Sequence, residues 1–124
     1  MHEFVIDKCE LIEESIRLVE VYTKNILRPS DFNNSEENLI RLDASMMRLQ
    51  SIGENIKKIW KLEPDFFDKI LSFDTNNIIR FRDFISHHYE KLDTEIVFEI
   101  CKNDIPDLKQ RIQTFLSNNN EQSV

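Results

Sequence analysis

The chain has 124 residues, of which 40% are apolar and 31% charged, and this balance is typical of one globular domain rather than of a disordered chain. The chain has one glycine and three prolines, so it lacks the turn residues of a β-sandwich and cannot form a glycine-rich phosphate loop. This composition predicts an all-α fold. A formal charge of −7 argues against broad, non-specific binding of nucleic acid but leaves room for a local basic site.

The first predicted helix runs from about Glu3 to Leu27. Its apolar residues recur at helical spacing and form one stripe, made of Val5, Cys9, Ile12, Ile16, Val19 and Ile26. The helix should end before Pro29, since the residue before a proline is disfavoured in the α conformation. After a polar loop, Ser35 is the predicted N-cap of the next helix.

The second long helix is predicted from about Glu36 to Leu62. Its apolar stripe consists of Leu39, Leu42, Met46, Leu49, Gly53, Ile56 and Trp60. The single glycine lies on this stripe, although glycine inside a helix costs about 1 kcal/mol relative to alanine. Close approach of another helix at Gly53 would explain it.

The rest of the chain predicts shorter helices. The first runs from about Pro64 to Leu71, and the second from about Asn76 to Leu92, with Asp74 or Thr75 as its cap. A third helix begins after a cap at Asp93 or Thr94, and the last has Pro106 in its first turn. Together these elements predict a single helical domain over residues 1–116, followed by a polar tail over residues 117–124.

The cysteines and the N-terminus indicate where the protein resides. Cys9 and Cys101 are far apart in the sequence and have no zinc-site spacing, so we interpret both as reduced thiols of the core. The first residues lack the apolar segment of a signal peptide, and the apolar runs are too short to span a membrane. We therefore expect a cytoplasmic protein.

The candidate chemistry lies in the helix over residues 76–92. His88 falls in its apolar row and is interpreted as a partly buried core histidine, whereas His87 falls on the polar half, with Arg82, Asp83 and Tyr89. Arg82 and His87 are about 140° apart on an ideal helix, so one straight helix cannot direct both at one atom. A kink would bring them together, and so would a second copy of the helix across a two-fold axis.

An arginine and a histidine suit one reaction that requires neither metal nor cofactor. RNA is cleaved when its own 2′-hydroxyl attacks the neighbouring phosphate, for which a histidine can move the proton and an arginine can stabilise the phosphoryl charge. The alternative is an ordinary polar face on which Arg82 pairs with Glu90 or Asp83. On spacing alone this alternative is favoured, because short motifs often arise by chance.

A family resemblance changes this balance. The chain contains an Arg-x4-His-x-Tyr pattern made of Arg82, His87 and Tyr89. This pattern resembles the motif of the HepT-like toxins of the HEPN superfamily. Residues 51–59 resemble the Gly-Glu segment of the family's second long helix, and residues 79–87 resemble the context of its motif arginine. The likeness covers nearly the whole chain. It implies an all-α, HEPN-like bundle with two long antiparallel helices and several shorter ones.

The resemblance also implies an activity and partners. It implies a metal-independent endoribonuclease toxin that forms a homodimer and acts on RNA, either tRNA or mRNA, without a cofactor. Arg82 and His87 would be the catalytic pair in a cleft between the protomers, and Asp83 would orient the site. Tyr89 would accept AMP from an MntA-type nucleotidyltransferase antitoxin, and the added bulk and negative charge would block the cleft.

Two residues and two other functions stay open at this point. Arg80 is a second candidate for the phosphate-binding arginine, and His88 stands where the family often has another polar residue. One alternative function is a non-catalytic helical partner of a minimal nucleotidyltransferase that binds nucleotide or protein. The other is a plain helical interaction protein in which the motif is accidental.

Overall fold

A computed structural model describes residues 2–71, 78–83 and 93–122, with side chains over 3–69, 71, 78–83 and 93–119. These residues form helices and helical turns, and no β-strand occurs within these ranges, which confirms the all-α, HEPN-like bundle. None of the helices in the described ranges is both long and apolar enough to cross a membrane.

Two long helices form the body of the domain, and shorter ones pack around them. In chain order the elements are α1 (His2–Thr23), a 3₁₀ turn (Pro29–Asn33), α2 (Glu36–Leu62), α3 (Pro64–Phe66) with a π turn (Phe67–Leu71), α4 (78–83), α5 (Thr94–Glu99) with a π turn (Ile100–Asp104), and α6 (Ile105–Gln122). The long helices α1 and α2 pack against each other, and α6 packs on α1. One continuous core joins them.

Helix α1 buries its predicted stripe but ends at Thr23, four residues before the predicted end at Leu27. The hydroxyl of Thr23 donates to the carbonyl of Val19 at 2.8 Å. The carboxylate of Asp31 accepts from the backbone N–H groups of Leu27 at 2.8 Å and Arg28 at 3.2 Å. These bonds satisfy backbone groups in the loop, so the chain can leave the helix early.

Helix α2 has the predicted bounds and the predicted cap, since the Ser35 hydroxyl accepts from the N–H of Asn38 at 3.1 Å. Its middle buries the predicted stripe, together with Ile52 and Ile59. The two ends of the predicted stripe are wrong, because Leu39 is 43% exposed and Trp60 is 50% exposed. Leu39 lies in the first turn of the helix, and Trp60 lies two turns beyond Gly53, the point at which another helix covers this face.

The last quarter of the chain is helical from Thr94 to Gln122, with a π turn between α5 and α6. Asp93 is the N-cap of α5, because its carboxylate accepts from the N–H of Glu95 at 2.8 Å. Pro106 comes just after the π turn. Proline has no backbone N–H to donate, and in a regular α-helix its ring would clash with the carbonyl one turn earlier. The wider π turn before Pro106 accommodates the ring. Helix α6 continues to Gln122, so the backbone of the predicted tail over 117–124 is helical as far as this residue.

The two cysteines lie in the core as predicted. Cys9 and Cys101 are buried and form no disulfide. Burial raises the pKa of each thiol to about 12, so both are neutral thiols at physiological pH.

Candidate functional site

Helix α4 crosses α2 at the only glycine of the chain. A Cβ atom added to Gly53 would lie 2.7 Å from the Cβ of Arg82 and 3.2 Å from the carbonyl oxygen of Ile78. No side chain fits in this space unless α4 moves. The close approach predicted at Gly53 is therefore confirmed, and the helix that approaches is the one that carries the motif arginine.

The guanidinium of Arg82 is held by carboxylates from two helices. Its Nη1 atom lies 3.0 Å from Oδ1 of Asp83, and its Nη2 atom lies 3.9 Å from Oε1 of Glu54 on α2. Lys57 of α2 reaches the same Asp83 oxygen with its Nζ atom at 3.2 Å. The Arg82 side chain is still 27% exposed.

Asp83 stays ionised in this arrangement. The hydrogen bonds that it accepts from Arg82 and then from Lys57 lower the pKa of its carboxyl below the ordinary value. A carboxylate that contacts the motif arginine has the position that an orienting residue needs, and this role stays a prediction. An Arg82–Asp83 pair is also what the ordinary polar face predicts, but such a face does not require a glycine opposite the arginine.

Arg80 faces different surroundings from Arg82. On a helix, positions two apart point about 200° apart. Arg80 lines a groove of about 500 Å³ between α4 and α5, together with Phe81, Asp93, Glu95, Ile96, Glu99, Ile100 and Asp104. Four of these residues are carboxylates and repel a phosphate, so the geometry favours Arg82 over Arg80 as the phosphate-binding arginine.

Arg82 opens onto a second groove, which is basic and which we call the α2 groove. It has a volume of about 490 Å³ and is lined by Glu54, Lys57, Lys58, Trp60, Lys61 and Arg82. Sequence reasoning missed the groove because it assigned Trp60 to the core. A signal was present, since Lys57 and Trp60 stand four and seven residues after Gly53 and so share its helix face.

The other predicted site residues, His87 and Tyr89, lie outside the described residues, as does His88. Whether Arg82 and His87 meet therefore stays a prediction. In the described ranges no group of three or more histidine, cysteine, aspartate or glutamate side chains could hold a metal ion.

Comparisons with known proteins identify the family of this chain. The family model described as "Ribonuclease HepT-like" matches residues 12–115. A protein of Methanocaldococcus jannaschii named "Gamma-glutamylcyclotransferase and putative RNase" is 35% identical over 101 residues, which are 82% of this chain and 42% of that protein. The chain thus matches less than half of that relative, and no solved structure matches it significantly. The matched range spans Gly53, Arg82 and the Arg-x4-His-x-Tyr pattern, and the chain belongs to the HepT-like ribonuclease family.

Proposed function

We propose that this protein is a metal-independent endoribonuclease toxin of a toxin–antitoxin system. The observation that carries the proposal is the position of Arg82, which is fixed by Asp83 and Glu54 against Gly53 and is open to a basic groove. A preorganised guanidinium can receive a phosphate without first having to be ordered. Membership in a ribonuclease family makes RNA the expected source of that phosphate.

The proposed reaction is attack within the RNA chain. The 2′-oxygen of one ribose forms a bond to the adjacent phosphorus, and the bond from phosphorus to the 5′-oxygen of the next nucleotide breaks. His87 moves the protons between these two oxygens, and Arg82 stabilises the negative charge on the other phosphoryl oxygens. The products are a 2′,3′-cyclic phosphate and a free 5′-hydroxyl, and neither a metal ion nor a cofactor takes part.

The proposal includes a homodimer and an antitoxin. Two copies of the motif helix across a two-fold axis would supply an arginine and a histidine to one cleft, which one straight helix does not. An MntA-type nucleotidyltransferase would inactivate the toxin by attaching AMP to Tyr89. The added phosphate would repel RNA from the cleft.

The test is RNA cleavage by purified protein whose intact mass shows no AMP adduct. Total tRNA and a structured mRNA are incubated with the protein in EDTA, and the ends of the fragments are identified. We expect cleavage that persists in EDTA and leaves 2′,3′-cyclic phosphates. Arg82→Ala and His87→Ala should each abolish cleavage. Arg82→Lys should retain little cleavage, because lysine lacks the planar fork of the guanidinium.

Arg80→Ala is the matched control, since it removes an arginine from the same helix but from the acidic groove. It should leave cleavage within about twofold of the original protein, the size expected for a surface charge that touches no substrate. Absence of cleavage by the unmodified protein would contradict the ribonuclease proposal. It would favour the non-catalytic partner of a nucleotidyltransferase instead.

A further inference from the structure

The α2 groove extends from Arg82 along the last two turns of α2. Four cationic side chains line it, namely Lys57, Lys58, Lys61 and Arg82, and the carboxylates beside them are Glu54 and Asp83. Lys57 is engaged with Asp83. Among the residues that the structure describes, neither Lys58 nor Lys61 pairs with a carboxylate, and both are exposed. Their charges are therefore available to an anion.

This basic character contrasts with the net charge of the chain and with two other grooves among the described residues. The chain carries a formal charge of −7. Two other grooves of similar size are lined by carboxylates, one beside Arg80 and one of about 570 Å³ that includes Glu10, Glu13 and Glu14. A polyanion that approaches this protein is therefore directed towards the α2 groove rather than towards its neighbours.

Trp60 adds an aromatic surface to the lysines. Its side chain is 50% exposed, although tryptophan is highly buried on average. The ring packs at 5.9 Å, centroid to centroid, on the buried ring of Phe67, which supports it from below. A supported, half-exposed indole between lysines has the two properties of a stacking platform for single-stranded nucleic acid, a fixed aromatic face and cations for the backbone.

Trp60 lies at a suitable distance from Arg82 for both to contact one RNA strand. Trp60 stands seven residues after Gly53, which contacts Arg82, and this corresponds to about 10 Å along the axis of α2. A nucleotide close to a phosphate bound at Arg82 can therefore reach Trp60. A base within a duplex cannot, because its faces are already covered by its neighbours.

We propose that the α2 groove binds single-stranded RNA next to the scissile phosphate, with one base stacked on Trp60 and backbone phosphates on Lys58 and Lys61. This inference rests on the proposed function for the position of that phosphate. It identifies the substrate class as single-stranded segments, such as loops, rather than continuous duplex. It also assigns a binding role to three residues outside the catalytic motif.

Trp60 is the only tryptophan of the chain, so its fluorescence reports on this groove alone. The full-length protein is titrated with a 2′-O-methyl RNA oligomer, which cannot undergo attack by its own 2′-hydroxyl, and with an abasic oligomer of the same length. We expect the RNA oligomer to quench Trp60. The abasic oligomer should bind with much less quenching, because it has no base to stack.

Variants test the same contacts by fluorescence anisotropy of a labelled oligomer. Trp60→Ala should weaken binding roughly 5- to 150-fold, the range found for loss of a base–aromatic stack. Trp60→Phe should recover part of this loss and guards against misfolding of the alanine variant. Lys58→Gln and Lys61→Gln should each reduce the slope of log K against log salt by about 0.7. Lys24→Gln, an exposed lysine outside the groove, should leave the slope unchanged.

The outcomes separate this inference from the ribonuclease proposal. If RNA binds while Trp60 fluorescence and all groove variants are unaffected, RNA binds elsewhere and the groove assignment is wrong, whether or not the protein cleaves RNA. If Trp60 is quenched and the variants bind weakly, but natural RNA is not cleaved, the groove assignment stands and the ribonuclease proposal fails. If the original protein neither binds nor cleaves RNA, both fail.

Discussion

Replacement of Gly53 by alanine sets two effects of known size against each other. Alanine is favoured over glycine inside a helix by about 1 kcal/mol, so at an open position the change would stabilise the protein. At Gly53 the new Cβ would lie 2.7 Å from the Cβ of Arg82, whereas carbon atoms in contact prefer about 3.5–4.0 Å. The contact atom belongs to the base of a side chain and not to its flexible end. Helix α4 must therefore move by about 1 Å.

The magnitude follows from these two terms. Overpacking of this kind costs about 1–3 kcal/mol. After subtraction of the gain in helix propensity, we expect the free energy of unfolding to fall by about 0–2 kcal/mol. The larger effect should be on cleavage, because a displacement of about 1 Å of a catalytic group can reduce the rate about 100-fold. Gly53→Ala should thus remain folded and lose most of its activity.

Urea denaturation measures the free energy of unfolding, and RNA cleavage at saturating protein measures the activity. The matched control compares Asp43→Gly with Asp43→Ala, since Asp43 is exposed on the same helix and measures propensity without a neighbouring helix. The reasoning is refuted if Gly53→Ala gains the full 1 kcal/mol or so that propensity gives and cleaves RNA like the original protein.

Three further predictions concern charge, titration and capping. Asp83→Asn should change the free energy of unfolding by less than about 1 kcal/mol, because the Asp83 side chain is 48% exposed and solvent screens its pair with Arg82. It should nevertheless lower the cleavage rate by loosening Arg82. Kinetics beside urea denaturation would show both effects, and an unchanged rate would remove Asp83 from the site. Between about pH 9 and pH 12 the unfolded thiols ionise while Cys9 and Cys101 stay neutral, so stability should fall as pH rises by up to about 1.4 kcal/mol per pH unit for each thiol. Urea denaturation of the original protein and of a Cys9→Ala, Cys101→Ala variant across this range isolates that slope, and identical slopes would contradict the burial of the thiols. Ser35→Ala should cost about 1 kcal/mol by thermal denaturation, since it leaves a backbone N–H of α2 without its cap, and a loss below about 0.3 kcal/mol would show that water replaces the hydroxyl.

The predicted helices depend on local signals, and those signals were strong here. Ser35 caps α2 as predicted, and Asp93, one of the two candidates for the next cap, caps α5. The long α2 also has the predicted bounds, because caps and apolar periodicity act within a few residues. The end of α1 was misplaced because the side chains that end it come from the loop beyond it, where Asp31 reaches back to the backbone of residues 27 and 28.

The site was harder to predict than the fold, because it depends on which helices meet. Periodicity assigned Trp60 to the core, since it shares a face with Gly53, and periodicity does not tell where the covering helix stops. The separation of Arg82 from Arg80 likewise needed the neighbours on either side, α2 with its lysines and α5 with its carboxylates. The motif supplied the candidate residues, and the packing shows what one of them, Arg82, faces.

The pairing of α1 with α2 also bears on how the protein folds. Both helices lie within residues 2–62, so the first half of the chain contains both sides of their contact. Contacts between neighbouring elements form fast. We therefore expect the α1–α2 pair to assemble early in folding, before the segment that carries Arg82 packs against it. The motif arginine would then dock onto a surface that already exists, and the candidate site would be among the last parts of the protein to form.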